Sequence, residues 1–282
     1  MSGRLADIET RIGTVRKLAA VVAAMRGIAA SRAREARGHV AGIRTFADTI
    51  GEAISQSLAL LPDQGRDGDR GNTGRRAVVL LAAEQGFAGA FNETVFDAAA
   101  PLLGDPHELI LAGDRGLIVA EERGLDVDWS APMIAHAGQA TSLAVRITEA
   151  IYERLAAGNV TCVTVVHAAP DGPTTGDVVV RPLVPFDFSR FPAPLHGAAP
   201  LITLPAEDLL TRLAEEYVFA EITEAIMLSF VAENEARTRA MIAAHDNVSK
   251  SLDQLVAQSR LLRQEEITDE ITELATSSLP IR

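Results

Sequence analysis

The sequence has 282 residues, a formal net charge of −12, a single cysteine and only 4% aromatic residues. The acidic balance argues against general nucleic-acid binding, and the lone Cys162 excludes an internal disulfide and favours a reducing compartment. No apolar stretch reaches the roughly 18 residues that a membrane-spanning helix requires, and early charged residues interrupt any signal-peptide core. We therefore expect a soluble or peripheral protein.

Proline and glycine divide the chain into three parts. Twelve of the 13 prolines lie within residues 62–205, and the last glycine is Gly197. Both residues break helices, so their absence from a long C-terminal stretch permits one very long helix there. We predict an N-terminal helix over residues 1–61, a central domain over 62–205 and a C-terminal helix over 206–282.

The N-terminal segment has the spacing of a coiled-coil seam, with apolar residues three and four positions apart. These residues are Leu5, Ile8, Ile12, Val15, Ala19 and Val22, and Met25, Ile28 and Ala29 continue the stripe with a small shift. Six glycines weaken this helix by roughly 5 kcal/mol relative to alanine. A partner helix must therefore hold it.

The central segment alternates between strand and helix patterns. Apolar runs predict strands at residues 76–83, 108–112, 161–166 and 178–184. Helical patterns lie near 93–100 and at 141–157, and a short helix follows residues 113–116. The polar, glycine-rich residues 62–75 predict a linker or loop. This alternation indicates a Rossmann-like α/β domain with a largely parallel sheet.

One turn of this domain invites a nucleotide hypothesis. Residues 84–92, EQGFAGAFN, lie between a predicted strand and a predicted helix, a position where phosphates are often bound. They lack both the GxGxxG spacing and the GxxxxGK pattern followed by serine or threonine. The six histidines show no metal-ligand spacing, and no GxSxG occurs. We predict a tight turn, with no catalytic residue, cofactor or metal; a nucleotide-binding α/β enzyme remains the less favoured alternative.

The C-terminal segment carries a second seam. Its apolar-type positions are Val248, Leu252, Leu255, Ser259 and Leu262, followed after a phase shift by Ile267, Ile271 and Leu274. Residues 1–60 hold nine basic and five acidic residues, whereas 206–282 hold seven basic and 15 acidic residues, so the two segments attract each other. About 60 and 74 helical residues would extend roughly 90 and 110 Å. We predict a long antiparallel coiled coil of the two terminal helices.

Several motifs resemble the gamma subunit of F-type ATP synthases over the whole chain. The most specific is RQEEITDEITE at 263–273, which is similar to the family's closing RQxxITxEITEI. AENEARTRAM at 232–241, AHDN at 244–247 and AMRGIAASR at 24–32 look like further family stretches. The turn at 84–92 is similar to the family's SDRGLCGGLN but lacks its Asp-Arg and its Cys. These departures are compatible with a divergent paralogue from an alternative ATPase operon.

The resemblance implies a rotor subunit without a catalytic site of its own. Its expected partners are the alpha and beta subunits of the F1 sector, the epsilon subunit and the c-ring of the membrane sector. The expected location is peripheral, on the cytoplasmic face of the bacterial plasma (inner) membrane. A free-standing coiled-coil adaptor is the other alternative.

Six residues are expected to contact the alpha/beta ring, because they match family stretches that lie near it. They are Met25, Arg26, Arg263, Gln264, Thr268 and Glu270. Gln264 and Thr268 lie four residues apart and share a helix face.

Overall fold

Two long helices flank a central sheet. The helices are α1 (Ser2–Leu58) and α5 (Ala206–Ser277). The computed structural model describes residues 2–61, 75–104, 106–170, 177–191 and 201–277. The predicted linker at 62–75 therefore lies outside the described residues, apart from Arg75. Within the described ranges, no helix combines the length and apolar character needed to cross a membrane.

The central elements agree with the predicted strand and helix patterns and add one short strand. In chain order they are β1 (Arg76–Leu81), α2 (Phe91–Leu103), β2 (His107–Ala112), α3 (Asp114–Glu122), β3 (Trp129–Ala131), α4 (Ala140–Ala156), β4 (Cys162–Ala168) and β5 (Val178–Val184). Short 3-10 helices lie at Ala137–Gln139 and Phe188–Arg190.

The five strands form one sheet in the order β3-β2-β1-β4-β5. The pairs β1–β2, β1–β4 and β2–β3 are parallel, and only β4–β5 is antiparallel. In the centre of the sheet Val79 is the register partner of both Ile110 on β2 and Val165 on β4. The predicted largely parallel sheet is confirmed.

Helices cover both faces of the sheet, which explains why its inner strands are apolar throughout. Successive residues of a strand point to opposite faces. Val79 and Leu81 belong to a core with residues of α1, α4 and α5, whereas Val78 and Leu80 belong to a second core with α2. The central sheet is thus the middle layer of three.

The chain divides into two compact units, residues up to 28 together with those from 238 onward, and residues 29–237. In the second unit α1 and α5 run antiparallel, because Arg37 pairs with Glu235 at 2.5 Å and Arg44 pairs with Glu224 at 2.7 Å. The predicted fold of terminal coiled-coil helices with a central α/β domain is confirmed. The predicted boundaries after residues 61 and 205 stay a prediction.

The first unit contains the predicted seam. On α1, the seam residues Ile8, Ile12 and Val22 are buried, and Leu5, Val15 and Ala19 are half-buried. On α5, Ser259 is buried, and Val248, Leu252, Leu255 and Leu262 are half-buried. The 3-4 spacing of both segments is therefore a packing pattern, as the sequence indicates.

The last part of the predicted seam is wrong. Ile267, Ile271 and Leu274 are 51%, 61% and 69% exposed. Ile267 follows Leu262 by five residues rather than three or four, which turns its side chain away from the seam. Glu266, four residues after Leu262, is half-buried instead. The phase shift in the sequence therefore moves the apolar stripe off the face that packs against α1.

Candidate functional site

The six predicted contact residues lie in the first compact unit, mostly at its surface. Arg26, Arg263, Gln264, Thr268 and Glu270 are exposed, and Met25 is half-buried. Because Arg263 contacts Glu9, Met25 lies 16 residues further along α1, which corresponds to roughly 24 Å of helix. The residues therefore form two separate groups on the coiled coil rather than one cluster.

The C-terminal group already uses part of its hydrogen-bonding capacity within the chain. Arg263, with a 61% exposed side chain, donates from Nη2 to Oε1 of Glu9 at 2.6 Å. The Thr268 hydroxyl donates to the Gln264 carbonyl oxygen at 2.8 Å, which places both residues on one helix face as expected. Exposed ion pairs contribute little, about 0–1 kcal/mol, so Arg263 can exchange Glu9 for another carboxylate.

An exposed apolar stripe surrounds Met25, and the sequence interpretation missed it. Leu18, Val21 and Ile28 are 50%, 54% and 54% exposed, and with Met25 they follow the spacing three, four, three. Ile28 was expected in the buried seam, whereas Ala29 next to it takes that place at 1% exposure. A second set of apolar residues at the same period, beside the first, is the signal that could have revealed this stripe.

The sheet has a topological switch point, the position at which nucleotides bind in related architectures. In open α/β sheets, ligands bind outside the carboxyl ends of the strands at the point where the strand order reverses. Here that point lies between the parallel strands β1 and β4: β2 and β3 extend the sheet beyond β1, and β5 extends it on the other side, beyond β4. The turn at residues 84–92 leaves β1 at this edge, so this is where the nucleotide hypothesis must be tested.

Arg237 of α5 binds backbone carbonyl groups of this turn. Arg237 donates from Nη2 to the carbonyl oxygen of Gln85 at 2.9 Å and from Nε to that of Gly86 at 3.1 Å. Its Nη2 also donates to Glu233 one helical turn earlier, and its Nη1 donates to Asn234 at 3.2 Å. Two of the turn's carbonyl groups are therefore bound to the guanidinium group of Arg237.

Burial controls the electrostatics of this pair. Glu233 and Arg237 are only 3% and 5% exposed. Burial raises the pKa of Glu233, while the charge of Arg237 and backbone hydrogen bonds from Gln85 and Glu84 oppose that rise. The carboxylate thus accepts hydrogen bonds from backbone N–H groups where the chain leaves β1.

Glu84 and two close-packed glycines fix the neighbouring strand ends. The Glu84 carboxylate accepts hydrogen bonds from the backbone N–H groups of Met133 at 2.7 Å and Asp114 at 3.2 Å. Gly113 has φ 112°, and a Cβ atom there would lie 2.5 Å from the Ala82 carbonyl oxygen. A Cβ atom at Gly116 would lie 2.4 Å from that of Ala82. The end of β1 and the start of α3 are therefore in close contact at these two glycines.

A cavity of about 360 Å³ lies beside the turn, lined by Phe87, Arg115 and Ile118 among others. Phe87 is 68% exposed and has φ 63°, which is rare for a residue with a side chain. Among the residues that the structure describes, no three His, Cys, Asp or Glu side chains are placed to hold a metal ion.

A family model described as ATP synthase matches residues 4–278. The ATP synthase gamma chain of Frankia casuarinae is 28% identical over 288 residues, covering 97% of this chain and 96% of that protein. The gamma chain of Streptomyces coelicolor is also 28% identical, with 97% and 95% coverage. That of Anaeromyxobacter dehalogenans is 26% identical, with 96% coverage of both chains.

Solved structures support the same fold. A rotor chain of the Euglena gracilis mitochondrial ATP synthase superposes with a TM-score of 0.67 at 14% identity, covering 95% of this chain and 100% of that chain. A central-stalk chain from the Tetrahymena thermophila enzyme gives 0.56 at 18% identity, covering 79% and 99%. With a family match over nearly its whole length and gamma chains as its relatives, this chain belongs to the ATP synthase gamma family.

Proposed function

We propose that this chain is the rotor subunit in the central stalk of the F1 sector of an F-type ATP synthase. It couples transmembrane ion flow to ATP synthesis or hydrolysis by rotating inside a ring of three alpha and three beta subunits. The observation that carries this proposal is a pair of uninterrupted helices of 57 and 72 residues, paired antiparallel, in a chain of the gamma family. At 1.5 Å per residue they are roughly 85 and 110 Å long.

The chain acts without a catalytic site of its own. In support, Glu233 and Arg237 bind backbone groups of residues 84–86 in the turn after β1. The turn also lacks the GxGxxG and GxxxxGK patterns of phosphate-binding loops. Catalysis then belongs to the surrounding ring, and the chain acts through its shape and its contacts.

The partners follow from this role. The coiled coil contacts the alpha and beta subunits, and the remainder of the chain contacts the epsilon subunit and the c-ring. The complex places the chain peripherally on the cytoplasmic face of the bacterial plasma membrane. The long helices, with mixed polar and small apolar surfaces rather than a membrane-spanning stretch, are suited to protein partners.

Two surfaces carry the ring contacts. One is the exposed apolar stripe around Met25, with Arg26 beside it. The other is the polar group Arg263, Gln264, Thr268 and Glu270, which lies next to the exposed apolar residues at the end of α5. Exposed apolar side chains next to hydrogen-bonding groups are typical of protein interfaces.

Co-expression with alpha and beta subunits tests the proposal. We expect the chain to co-purify with them as a complex that hydrolyses ATP, and the isolated chain to show no micromolar ATP binding in equilibrium dialysis. ATP binding by the isolated chain would favour the enzyme alternative. A folded chain that never associates with alpha and beta subunits would favour the free-standing adaptor.

A further inference from the structure

A continuous network of ion pairs links both long helices to one edge of the sheet. Arg44 of α1 donates from Nε to Glu224 of α5 at 2.7 Å. Arg181 of β5 bridges Glu224 at 3.8 Å and Glu221 at 3.5 Å. Arg190, in the 3-10 helix after β5, donates to Glu221 at 2.8 Å. Five side chains therefore connect α1, α5, β5 and the segment that follows the sheet.

Of the two acidic residues in this network, Glu221 is buried and Glu224 is half-buried. The side chain of Glu221 is only 4% exposed and that of Glu224 is 13% exposed, whereas that of Arg44, the outermost residue of the network, is 56% exposed. Arg190 also donates to the Tyr217 hydroxyl at 3.3 Å. Replacing buried ion pairs by apolar residues is often neutral or stabilising, so stability alone gives no reason for a buried and a half-buried carboxylate here.

Geometry gives a better reason. Apolar residues of α1 and α5 pack against the sheet in one core, but the hydrophobic effect is non-directional and specifies helix position less sharply than a hydrogen bond does. Hydrogen-bonded ion pairs have preferred distances and angles, and they weaken steeply when the partners shift. Glu221 and Glu224 hold α5 to the sheet edge through Arg181 and Arg190, and Arg44 holds α1 to α5.

We infer that these five residues, Arg44, Arg181, Arg190, Glu221 and Glu224, form a register lock. The lock keeps α1 and α5 from slipping against the sheet when the subunit turns under load. The inference rests on the proposed rotor function, because a rotating subunit transmits force between its helices and its central domain. The five are positioning residues, and none of them belongs to the proposed ring contacts.

The test uses the assembled ATP synthase in membrane vesicles. We expect Glu221→Gln with Glu224→Gln, which keeps side-chain shape and removes both charges, to lower ion pumping per ATP hydrolysed. Hydrolysis itself should continue, because the ring contacts are intact. A subunit that is merely less stable would lose both activities together. The matched control is Asp97→Asn, which breaks the Arg123–Asp97 ion pair at 2.8 Å between α2 and the end of α3; its ratio should equal that of the wild type.

If the double variant pumps as many ions per ATP hydrolysed as the wild type, the register lock is wrong. If the double variant does not assemble, Arg44→Gln decides, since this exposed link can be broken without burying a new polar group. A lowered ratio supports the lock, and an unchanged ratio overturns it. Failure of the rotor proposal itself would show differently, as wild-type vesicles whose pumping does not depend on this chain.

Discussion

Arg237 and Glu233 form a buried ion pair one turn apart on α5, and the same guanidinium group binds the turn that follows the first strand. This arrangement turns the usual ligand-binding edge of an α/β sheet into a helix-docking site. It explains how a Rossmann-like domain can serve as a mechanical element. The pair therefore fixes α5 to the turn after β1, and so to the sheet.

The first prediction concerns this pair. Arg237→Met should lower the free energy of unfolding by about 3–5 kcal/mol, because it leaves the Glu233 carboxylate buried without its cation. Adding Glu233→Gln should recover part of the loss. Arg239→Met is the control, since Arg239 is exposed on the same helix and its replacement should change stability by less than about 0.5 kcal/mol. Urea unfolding measures all three; equal effects of Arg237→Met and Arg239→Met would contradict the buried-pair account.

The second prediction concerns the close approach of strand ends at Gly113. Gly113→Ala should cost about 1–3 kcal/mol, because it forces a Cβ atom against the Ala82 and Ala83 carbonyl oxygens at a φ of 112°. Gly38→Ala is the opposite control: Gly38 lies in α1, and a Cβ atom there would contact nothing within 4 Å beyond its own helix backbone. That change should stabilise by up to about 1 kcal/mol. The midpoint temperature of thermal unfolding should fall for Gly113→Ala and rise for Gly38→Ala. Shifts of the same sign would contradict the close approach at Gly113.

The third prediction is a pH dependence from His167 on β4. Burial lowers the pKa of His167 from 6.5 to about 4. Between these values the unfolded chain binds the proton and the folded chain does not, so stability rises with pH. The contribution is complete above about pH 6.5 and is lost as the pH falls to about 4, at roughly 3 kcal/mol in all.

His167→Gln should flatten that part of the stability profile, whereas His39→Gln, at an exposed position, should leave it unchanged. Denaturant unfolding at a series of pH values gives the comparison. A slope that survives in His167→Gln would assign the pH dependence to other groups.

The fourth prediction concerns the polar group near the end of α5. Arg263→Ala with Gln264→Ala should weaken assembly or ATP-driven pumping while the isolated subunit stays folded. A charged contact contributes about 1.5–3 kcal/mol when desolvated and far less at an exposed rim. Complex yield and ion pumping in membranes carrying the variant provide the measurement. Normal yield and full pumping would mean that these side chains form only a solvated face.

Much of the fold could be predicted because its signals are local. The 3-4 spacing of Ile8, Ile12 and Val22 predicts the seam, and the two-sided apolar run of β1 predicts a buried strand. The strand Trp129–Ala131 was missed because three residues are too few to show a period. Ile267 is exposed because it follows Leu262 by five residues, which turns it away from the seam, and the sequence interpretation did not apply that phase shift to burial.

The site was less accessible to sequence reasoning. Nothing in the spacing of Glu233 and Arg237 distinguishes a buried pair from an ordinary exposed pair four residues apart, which is the commoner case. Their meaning depends on the turn after β1, about 150 positions away in the chain. The lock residues Arg44, Arg181 and Arg190 likewise come together only through the fold.

Direct observation of rotation tests the central claim. Glu121 is exposed on α3, and the lone native Cys162 is buried, so Glu121→Cys offers one reactive site for a visible probe. In a surface-fixed complex with alpha and beta subunits, the account predicts ATP-driven turning of the probe in a single direction. A complex that hydrolyses ATP while the probe keeps a fixed angle would contradict the rotor function.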